Sequence, residues 1–260
     1  MRLVFETKFS FLGKLSWRSE ASRTPDLLYN PDRLERRFQL FEQVMLPSIA
    51  DQTDDDFELL IMTASTLPDA AKERLNDVVE QAIGADRAKI LEFGPRRSWR
   101  LMWNYISEHY ANEQQMVQVN LDDDDGLCVD YVEICKAEAA RAMQSDFYGV
   151  PYRYLSFAQG YDLGYIDGQI SEVAPAYRPL KAPGAAVVGP PDVEVSPMVQ
   201  VRTDRGVSNS TIINTDRPFY IKSLHDFNDK ETTFQGAEDS LDDTSEVEVY
   251  FPSLIGQLPI

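Results

Sequence analysis

The chain has 260 residues, 43% of them hydrophobic, and its 43 acidic residues outnumber its 25 basic ones, which gives a formal net charge of -18. This length and apolar content suit a single large domain with its own core. The acidic balance argues against a protein whose main task is to bind nucleic acid, because such proteins carry a basic surface.

The N-terminal residues and the cysteines indicate a protein of the cytoplasm. The first residues lack the architecture of a signal peptide, and no apolar run is long enough to cross a bilayer. Cys128 and Cys135 would lie about two turns apart on one predicted helix, which is too far for a disulfide. We therefore expect a cytoplasmic protein with reduced cysteines, and attachment to the inner face of the membrane is the alternative.

The first half of the chain alternates predicted strands and helices. Asn30 followed by Pro31 is typical of a helix start, and Pro47 is expected to end that helix. Gly84 is placed to cap the end of the next helix. The alternation predicts an α/β fold with a mostly parallel, Rossmann-like sheet and helices on both faces. The predicted strands cover residues 3–5, 57–62, 89–93 and 116–121, and the predicted helices cover residues 30–47, 68–83, 98–110 and 128–143.

The second half is expected to be smaller, mixed and rich in β-structure. Residues 161–173 predict a hairpin that turns at Asp167 and Gly168, and residues 211–213 predict another short strand. Residues 175–197 are rich in Pro, Gly and Ala, which predicts an irregular loop. Beyond residue 228 acidic residues far outnumber basic ones, so the tail is expected to wrap loosely or to stay mobile.

Four consecutive aspartates, Asp122–Asp125, directly follow the predicted buried strand that ends at Leu121. In parallel α/β sheets, ligands bind outside the carboxyl ends of the strands, which is where this run lies. Hard cations such as Mg²⁺ and Mn²⁺ prefer carboxylate and water oxygens. Aspartate is also a common turn residue. The run therefore predicts either a divalent-cation site or a solvated acidic turn.

Arginines cluster around the start of the third predicted helix, at Arg96, Arg97 and Arg100, with Asn104 one turn further on. Guanidinium groups match phosphate oxygens, and a helix N-terminus also favours anions. The cluster therefore predicts either a phosphate-binding site or a solvated face that balances nearby acids.

The sequence contains two histidines with different expected roles. His109 lies late in a predicted helix, where a structural role is expected. His225 follows a predicted strand, and a lone histidine is usually not a ligand. It is nevertheless the only late histidine that could complete a metal site made mostly of oxygen atoms.

Several segments resemble a known family when they are taken together. Residues 37–42, 46–53 and 56–61 are similar to the opening of nucleotide-sugar glycosyltransferases of the A-type fold. The strings Thr7–Phe11, Asn30–Phe38 and Leu121–Leu127 resemble, within that fold, the bacterial rhamnosyltransferase family. The resemblance covers roughly the first 150 residues.

This resemblance implies an enzyme that moves a sugar, with rhamnose suggested by the family label, from a nucleotide-diphosphate donor to a hydroxyl of a glycan or lipid-linked acceptor. It also implies a divalent metal, Mn²⁺ or Mg²⁺, and an inverting displacement. Asp122 and Asp123 would contact the donor, while Asp124, Asp125 and His225 would hold the metal. The other implied donor contacts are Thr7, Lys8, Phe9, Arg97, Arg100 and Asn104. Residues 1–150 would form the donor half and residues 151–260 the acceptor half of one domain.

The sequence departs from the family pattern in two places. Met62–Ser65 lacks the acidic residue that many relatives use for the nucleobase, so the choice of base stays open. The base that accepts the acceptor's proton is unassigned, with Asp125, Glu238 and Asp239 as weak candidates. Two alternatives therefore remain. One is a non-catalytic nucleotide- or carbohydrate-binding relative, and the other is a Mg²⁺-dependent phosphoesterase or nucleotidyltransferase.

Overall fold

The computed structural model describes residues 1–13, 23–144, 149–166, 168–200, 211–225 and 240–258. These residues form a nine-stranded mixed sheet with helices packed against it. The strands are β1 (Arg2–Lys8), β2 (Glu58–Ala64), β3 (Ala88–Phe93), β4 (Met116–Asn120), β5 (Gly126–Leu127), β6 (Arg153–Ile166), β7 (Gln169–Tyr177), β8 (Ala186–Gly189) and β9 (Thr211–Leu224). The α-helices are α1 (Pro25–Leu28), α2 (Pro31–Leu40), α3 (Leu46–Ala50), α4 (Asp69–Ala82), α5 (Ser98–His109), α6 (Tyr131–Met143), α7 (Pro197–Gln200) and α8 (Ser245–Tyr250). Among these helices, none is both long and apolar enough to cross a membrane.

The strand order is β3-β2-β1-β4-β8-β6-β9-β5, and β7 pairs with β6 outside this path. The α/β class predicted from the sequence is confirmed. The mostly parallel arrangement holds for β1 to β4, whereas β8 runs antiparallel to both β4 and β6. A parallel neighbour needs a long crossover connection, and the chain instead reaches β8 through the β6–β7 hairpin. The second half is therefore mixed.

Helix α2 begins where the sequence predicted a helix start. The Asn30 side chain accepts hydrogen bonds from the backbone N–H groups of Asp32 and Arg33, which caps α2. The prediction that Pro47 ends this helix was wrong. A π-helical turn at Phe41–Met45 links α2 directly to α3, and Pro47 lies in the first turn of α3. The helix therefore continues through Pro47, and this proline, which removes one backbone hydrogen bond, directly follows a π-helical turn where the hydrogen-bond pattern is already irregular.

Two further boundaries differ from the predicted ones. Helix α6 begins at Tyr131, so Cys128 lies before it and does not share it with Cys135. Both cysteines are buried and free. The region expected to be an irregular loop contains the end of β7 and all of β8, because the apolar run Ala185–Val188 is buried in the sheet. The predicted hairpin is confirmed as β6 and β7, although Asp167 lies outside the described residues.

The prediction of a loose acidic tail is wrong for residues 240–258. Apolar side chains recur every three or four residues through this segment and are buried against the main core, namely Val247, Phe251, Leu254 and Leu258. Backbone hydrogen bonds attach the segment to the rest of the fold, from the Leu241 N–H to the Val173 carbonyl (2.8 Å) and from the Val129 N–H to the Tyr250 carbonyl (2.9 Å). The many acidic residues hid this pattern in the sequence.

Candidate functional site

The aspartates lie in a tight turn between β4 and β5, at the carboxyl edge of the parallel strands. The N–H of Leu121 donates to the carbonyl of Glu6 in β1 (3.2 Å), and the N–H of Asp125 donates to the carbonyl of Asp122 (3.2 Å). Asp123, Asp124 and Asp125 are 2%, 6% and 2% exposed. Three of the four aspartates are therefore buried in the turn, which argues against a solvated acidic loop, while the side chain of Asp122 is 34% exposed.

Each of the four carboxylates faces a basic side chain from another part of the chain. Burying a charge is costly unless it is paired, so these partners reduce the repulsion within the run. The pairs are Asp122 with Lys8 of β1 (3.9 Å), Asp123 with Arg37 of α2, Asp124 with His225 after β9 (3.0 Å) and Asp125 with Lys222 of β9 (3.3 Å).

The fit of a divalent cation can be tested on Asp124 and His225. In an octahedral site with ligands at about 2.0–2.1 Å, neighbouring ligand atoms lie about 3 Å apart. Oδ2 of Asp124 and Nε2 of His225 are 3.0 Å apart, so the two atoms suit adjacent positions around one ion. No cluster of three or more His, Cys, Asp or Glu side chains suited to a metal occurs within the described ranges. Mg²⁺ commonly takes one or two carboxylates and completes its shell with water and substrate phosphates.

Asp125 is directed elsewhere, although it was predicted as a metal ligand. Its Oδ1 accepts a hydrogen bond from the backbone N–H of Ser223 (3.1 Å), and both of its oxygens lie within 3.5 Å of Nζ of Lys222. Asp125 thus attaches the aspartate turn to β9. This attachment places His225, two residues beyond Ser223, next to Asp124.

Burial and charge act in opposite directions on the first two buried aspartates. Burial raises the pKa of Asp123 to about 7, with Arg37 opposing the shift and the neighbouring carboxylates adding to it. Burial also tends to raise the pKa of Asp124. The hydrogen bond with His225 and the positive charge of Arg37 outweigh burial and hold the pKa of Asp124 below its usual range. Asp124 therefore stays ionised, as a metal ligand must.

A similar balance governs Asp125 and Lys222. Burial raises the pKa of Asp125 well above its usual range, and the positive charge of Lys222 opposes this shift. Burial lowers the pKa of Lys222, but the charges of Asp125, Asp124 and Asp122 raise it by more, so the pKa of this ammonium ends above its usual value. The side chain of Lys222 is 30% exposed, so part of this charged donor is accessible to solvent.

Comparison with known families shows the family of the chain. A family model described as "putative rhamnosyl transferase" matches residues 3–237. The chain belongs to this family. A comparison with curated proteins gave no match.

Several solved structures are similar to the chain at low sequence identity. Staphylococcus aureus TarS 1–349 in complex with UDP is 10% identical, with a TM-score of 0.46, and the match covers 86% of this chain and 61% of TarS. The same TarS fragment in complex with UDP-GlcNAc is 10% identical, with a TM-score of 0.40 over 91% of this chain and 61% of TarS. A "putative nucleotide-diphospho-sugar transferase" from Desulfovibrio desulfuricans is 11% identical, with a TM-score of 0.38 over 91% of this chain and 90% of that one. The chain thus spans about three fifths of the length of the TarS fragment.

Of the residues that the family resemblance assigned at the end of β1, the structure brings only Lys8 to the aspartates. Side chains alternate along a strand, so Thr7 and Phe9 face the side opposite to Lys8. The ring of Phe9 is buried, with its centroid 4.7 Å from that of Phe38 and 5.2 Å from that of Phe41. The Phe9 side chain therefore packs in the core, and its contact with a nucleobase stays a prediction.

The predicted donor residues of α5 lie at the surface. Arg97, Arg100 and Asn104 are exposed. Arg100 forms an ion pair with Glu194 (3.1 Å), in which the two side chains are 57% and 59% exposed. Among the described residues, no hydrogen bond or ion pair joins Arg97, Arg100 or Asn104 to the aspartates. Their role toward a diphosphate stays a prediction, and Glu238 and Asp239 lie outside the described residues.

Sequence reasoning missed two cationic residues of the site, Arg37 and Lys222. Arg37, whose side chain is 11% exposed, precedes Phe38 in the apolar stripe of α2, and Arg33, one turn earlier, is buried. Two arginines four residues apart beside an apolar stripe are a detectable signal of a buried charge site. Lys222 gave a weaker signal, since it shares a strand face with the aromatic residue Tyr220.

Proposed function

We propose that the chain is a glycosyltransferase that moves a sugar from a nucleotide-diphosphate donor to an acceptor hydroxyl with the help of one divalent cation, Mn²⁺ or Mg²⁺. Membership of the family supports the reaction class. One observation carries the metal assignment, namely the 3.0 Å approach of Asp124 Oδ2 and His225 Nε2 at the carboxyl edge of the sheet. Rhamnose as the sugar, and a glycan or lipid-linked acceptor, rest on the family description.

The residues around the aspartate turn divide the work of binding a diphosphate. Asp124 and His225 would hold the ion, which when bound neutralises the negative charge that develops on the leaving diphosphate. Lys222 of β9, which pairs with Asp125 of the turn, is partly exposed and can donate to phosphate oxygens. Arg37 contacts Asp123 and lies 4.0 Å from Asp124 Oδ2, so it fixes the carboxylate that would face the ion.

The same contacts disfavour a phosphoesterase or nucleotidyltransferase. Such enzymes commonly use two metal ions about 3.5–4 Å apart, which requires several free carboxylates. Asp123 is paired with Arg37, and Asp125 is bound to Ser223 and Lys222. The turn therefore offers one ion position rather than two.

Nucleotide binding tests the proposal directly. Thermal unfolding should be followed with UDP, GDP and dTDP, each with Mn²⁺, with Mg²⁺ and with EDTA. We expect at least one nucleotide to raise the melting temperature by several degrees, and only when metal is present, since a ligand that binds the folded state alone stabilises it. Indifference to every nucleotide under every condition would contradict the proposal.

Slow hydrolysis of the matching nucleotide sugar then separates an enzyme from a non-catalytic binder. We expect release of nucleoside diphosphate that depends on metal and stops with EDTA. Metal-dependent nucleotide binding without any hydrolysis or transfer, even with a broad set of nucleotide sugars, would support the non-catalytic relative instead.

A further inference from the structure

A second polar cluster lies on the sheet beside the aspartate turn, on one face of β6 and β9. The two strands are parallel, with Gly160 opposite Tyr220 and Asp162 opposite Lys222. Residues paired in this way project to the same side of a sheet. Asp162, Tyr220 and Lys222 therefore share one face, and Arg178, just after β7, reaches the same face.

Lys222 connects this face of the sheet to the aspartates. Nη2 of Arg178 donates to Oδ2 of Asp162 (2.7 Å), and Nη1 of Arg178 lies 3.4 Å from the hydroxyl of Tyr220. The next residue along the face, Lys222, contacts Asp125 at 3.3 Å. The side chains of Asp162 and Arg178 are 17% and 27% exposed. Part of this ion pair is thus accessible to a ligand.

Within this cluster, Tyr220 packs directly against the backbone of Gly160. A Cβ atom at Gly160 would lie 2.4 Å from the carbonyl oxygen of Tyr220 and 2.6 Å from its ring, which is closer than real Cβ atoms come. The ring of Tyr220 therefore lies directly on the glycine backbone. The Tyr220 hydroxyl contacts the guanidinium of Arg178, and the backbone N–H of Arg178 donates to the Ala158 carbonyl (2.7 Å). Arg178 is held in place before any ligand arrives.

Asp162 has one oxygen that its ion pair does not use. Oδ2 accepts from Arg178, whereas Oδ1 is buried and has no hydrogen-bond partner in the described part of the chain. Buried polar atoms are nearly always hydrogen-bonded, so an orphaned acceptor needs an explanation. An ion pair that served only to hold β6 to the segment after β7 would account for Oδ2 but not for Oδ1.

We propose that Asp162 and Arg178 bind hydroxyl groups of a saccharide acceptor. A carboxylate can only accept and a guanidinium can only donate, so the pair can bind two neighbouring hydroxyls, each of which does both. The contact between Lys222 and Asp125 places this subsite next to the turn that would hold the donor diphosphate. The inference rests on the proposed glycosyltransferase function and adds the location and chemistry of the acceptor side.

Saccharide binding measured by ligand-observed NMR tests the subsite. The probes are p-nitrophenyl glycosides of rhamnose, glucose, galactose and N-acetylglucosamine, each with the protein, UDP and Mn²⁺. The variants are Asp162→Asn, Arg178→Lys and the matched control Asp130→Asn, since Asp130 forms a similar half-buried ion pair with Arg217 away from the turn. We expect the parent and the control to bind at least one glycoside, and both subsite variants to bind it at least tenfold more weakly.

Other outcomes would overturn the subsite. These are no binding of any glycoside by the parent, unchanged binding by both Asp162→Asn and Arg178→Lys, or equal loss in Asp130→Asn. Binding that requires a phosphate group on the probe and survives Asp162→Asn would also overturn it, because that result indicates an anion site. Arg178→Lys retains the charge and serves as the test if Asp162→Asn does not fold.

Thermal shifts with UDP and Mn²⁺, run on the same samples, keep this inference separate from the proposed function. Loss of glycoside binding with intact nucleotide binding supports the subsite. Glycoside binding in a parent that ignores every nucleotide would contradict the proposed donor site and leave a saccharide site at Asp162 and Arg178.

Discussion

Nε2 of His225 lies 3.0 Å from Oδ2 of Asp124, although 101 positions separate the two residues in the sequence. Strand pairing creates this contact, because β5 directly after the aspartates runs antiparallel to β9, with Gly126 opposite Ile221. The hydrogen bond from Ser223 N–H to Asp125 then sets the position of the residues that follow β9. The site is therefore a property of the sheet.

Asp124→Asn should separate metal binding from folding. Asparagine retains the size and one acceptor oxygen but lacks the charge that a hard cation requires. We expect calorimetry to show Mn²⁺-dependent nucleotide affinity reduced at least tenfold, with a melting temperature within a few degrees of the parent. Asp54→Asn, which alters an ion pair with Lys136 away from the turn, is the control. Equal affinity in Asp124→Asn and the parent would refute the metal assignment.

Arg37→Met should destabilise the fold strongly. Asp123 is 2% exposed, and without Arg37 its carboxylate must either stay buried without that cation or take up a proton, and both cost free energy. Losing one partner of a buried pair typically costs about 3–5 kcal/mol. Urea denaturation should show this loss, whereas Arg141→Met, at a side chain that is 70% exposed, should cost less than about 1 kcal/mol.

The double variant Arg37→Met, Asp123→Asn provides the internal check on that prediction. Removing both charges removes the unpaired carboxylate, so much of the lost stability should return. A double variant that is no more stable than Arg37→Met alone would show that Arg37 stabilises the fold by packing rather than by charge.

The parts of the fold that depend on neighbouring residues could be predicted from the sequence. Asn30 and Pro31 marked a helix start because capping involves only the next few residues. The aspartate run was placed correctly at a strand end because the apolar strand directly precedes it in the sequence. The pairing of Asp125 with Lys222 could not be predicted, since it depends on where β9 enters the sheet.

Charge patterning misled the prediction wherever acidic residues surround apolar ones. The segment after residue 240 appeared loose because acidic residues dominate its composition, yet Val247 and Phe251 are buried. The near-complete burial of the Arg37 side chain was overlooked because an arginine on a helix is usually exposed. In both places tertiary contacts outweighed the local composition.

Glu6→Gln should alter how stability depends on pH. Glu6 is 1% exposed on β1, and burial raises its pKa from 4.5 to about 8, with the charge of Lys8 acting in the opposite direction. Between these values the unfolded chain has lost the proton that the folded chain keeps, so the stability of the parent falls as the pH rises toward 8. Glutamine has no proton to lose. The advantage of Glu6→Gln should therefore grow from pH 5 to pH 8 and then level off.

The expected advantage at pH 8 is on the order of 4 kcal/mol, since each unit of pKa shift corresponds to about 1.4 kcal/mol. Urea denaturation at several pH values measures it. Glu80→Gln, on the exposed side of α4, is the control and should follow the parent. A constant difference between Glu6→Gln and the parent across this pH range would show that Glu6 is not protonated in the folded state.

Phe251→Ala should test whether the C-terminal segment is part of the core. The Phe251 ring is 1% exposed and lies edge-on to the ring of Tyr161, at a centroid distance of 6.2 Å. Truncating a buried phenylalanine typically costs about 3–5 kcal/mol. Val249→Ala, at a side chain that is 69% exposed in the same segment, should change the free energy of unfolding by less than about 0.5 kcal/mol. Equal and small effects would restore the picture of a loose tail.

Gly160→Ala should disturb the face that bears Tyr220. The added methyl group would lie 2.4 Å from the Tyr220 carbonyl oxygen, and a backbone atom paired within a sheet cannot move aside cheaply. Overpacking of this kind typically costs about 1–3 kcal/mol, and we expect the upper end of that range by urea denaturation. Gly94→Ala is the matched control, because nothing lies within 4 Å of a Cβ atom at that position. Equal stability of the two variants would mean that the ring of Tyr220 does not pack against Gly160. Tyr220 would then not position Arg178.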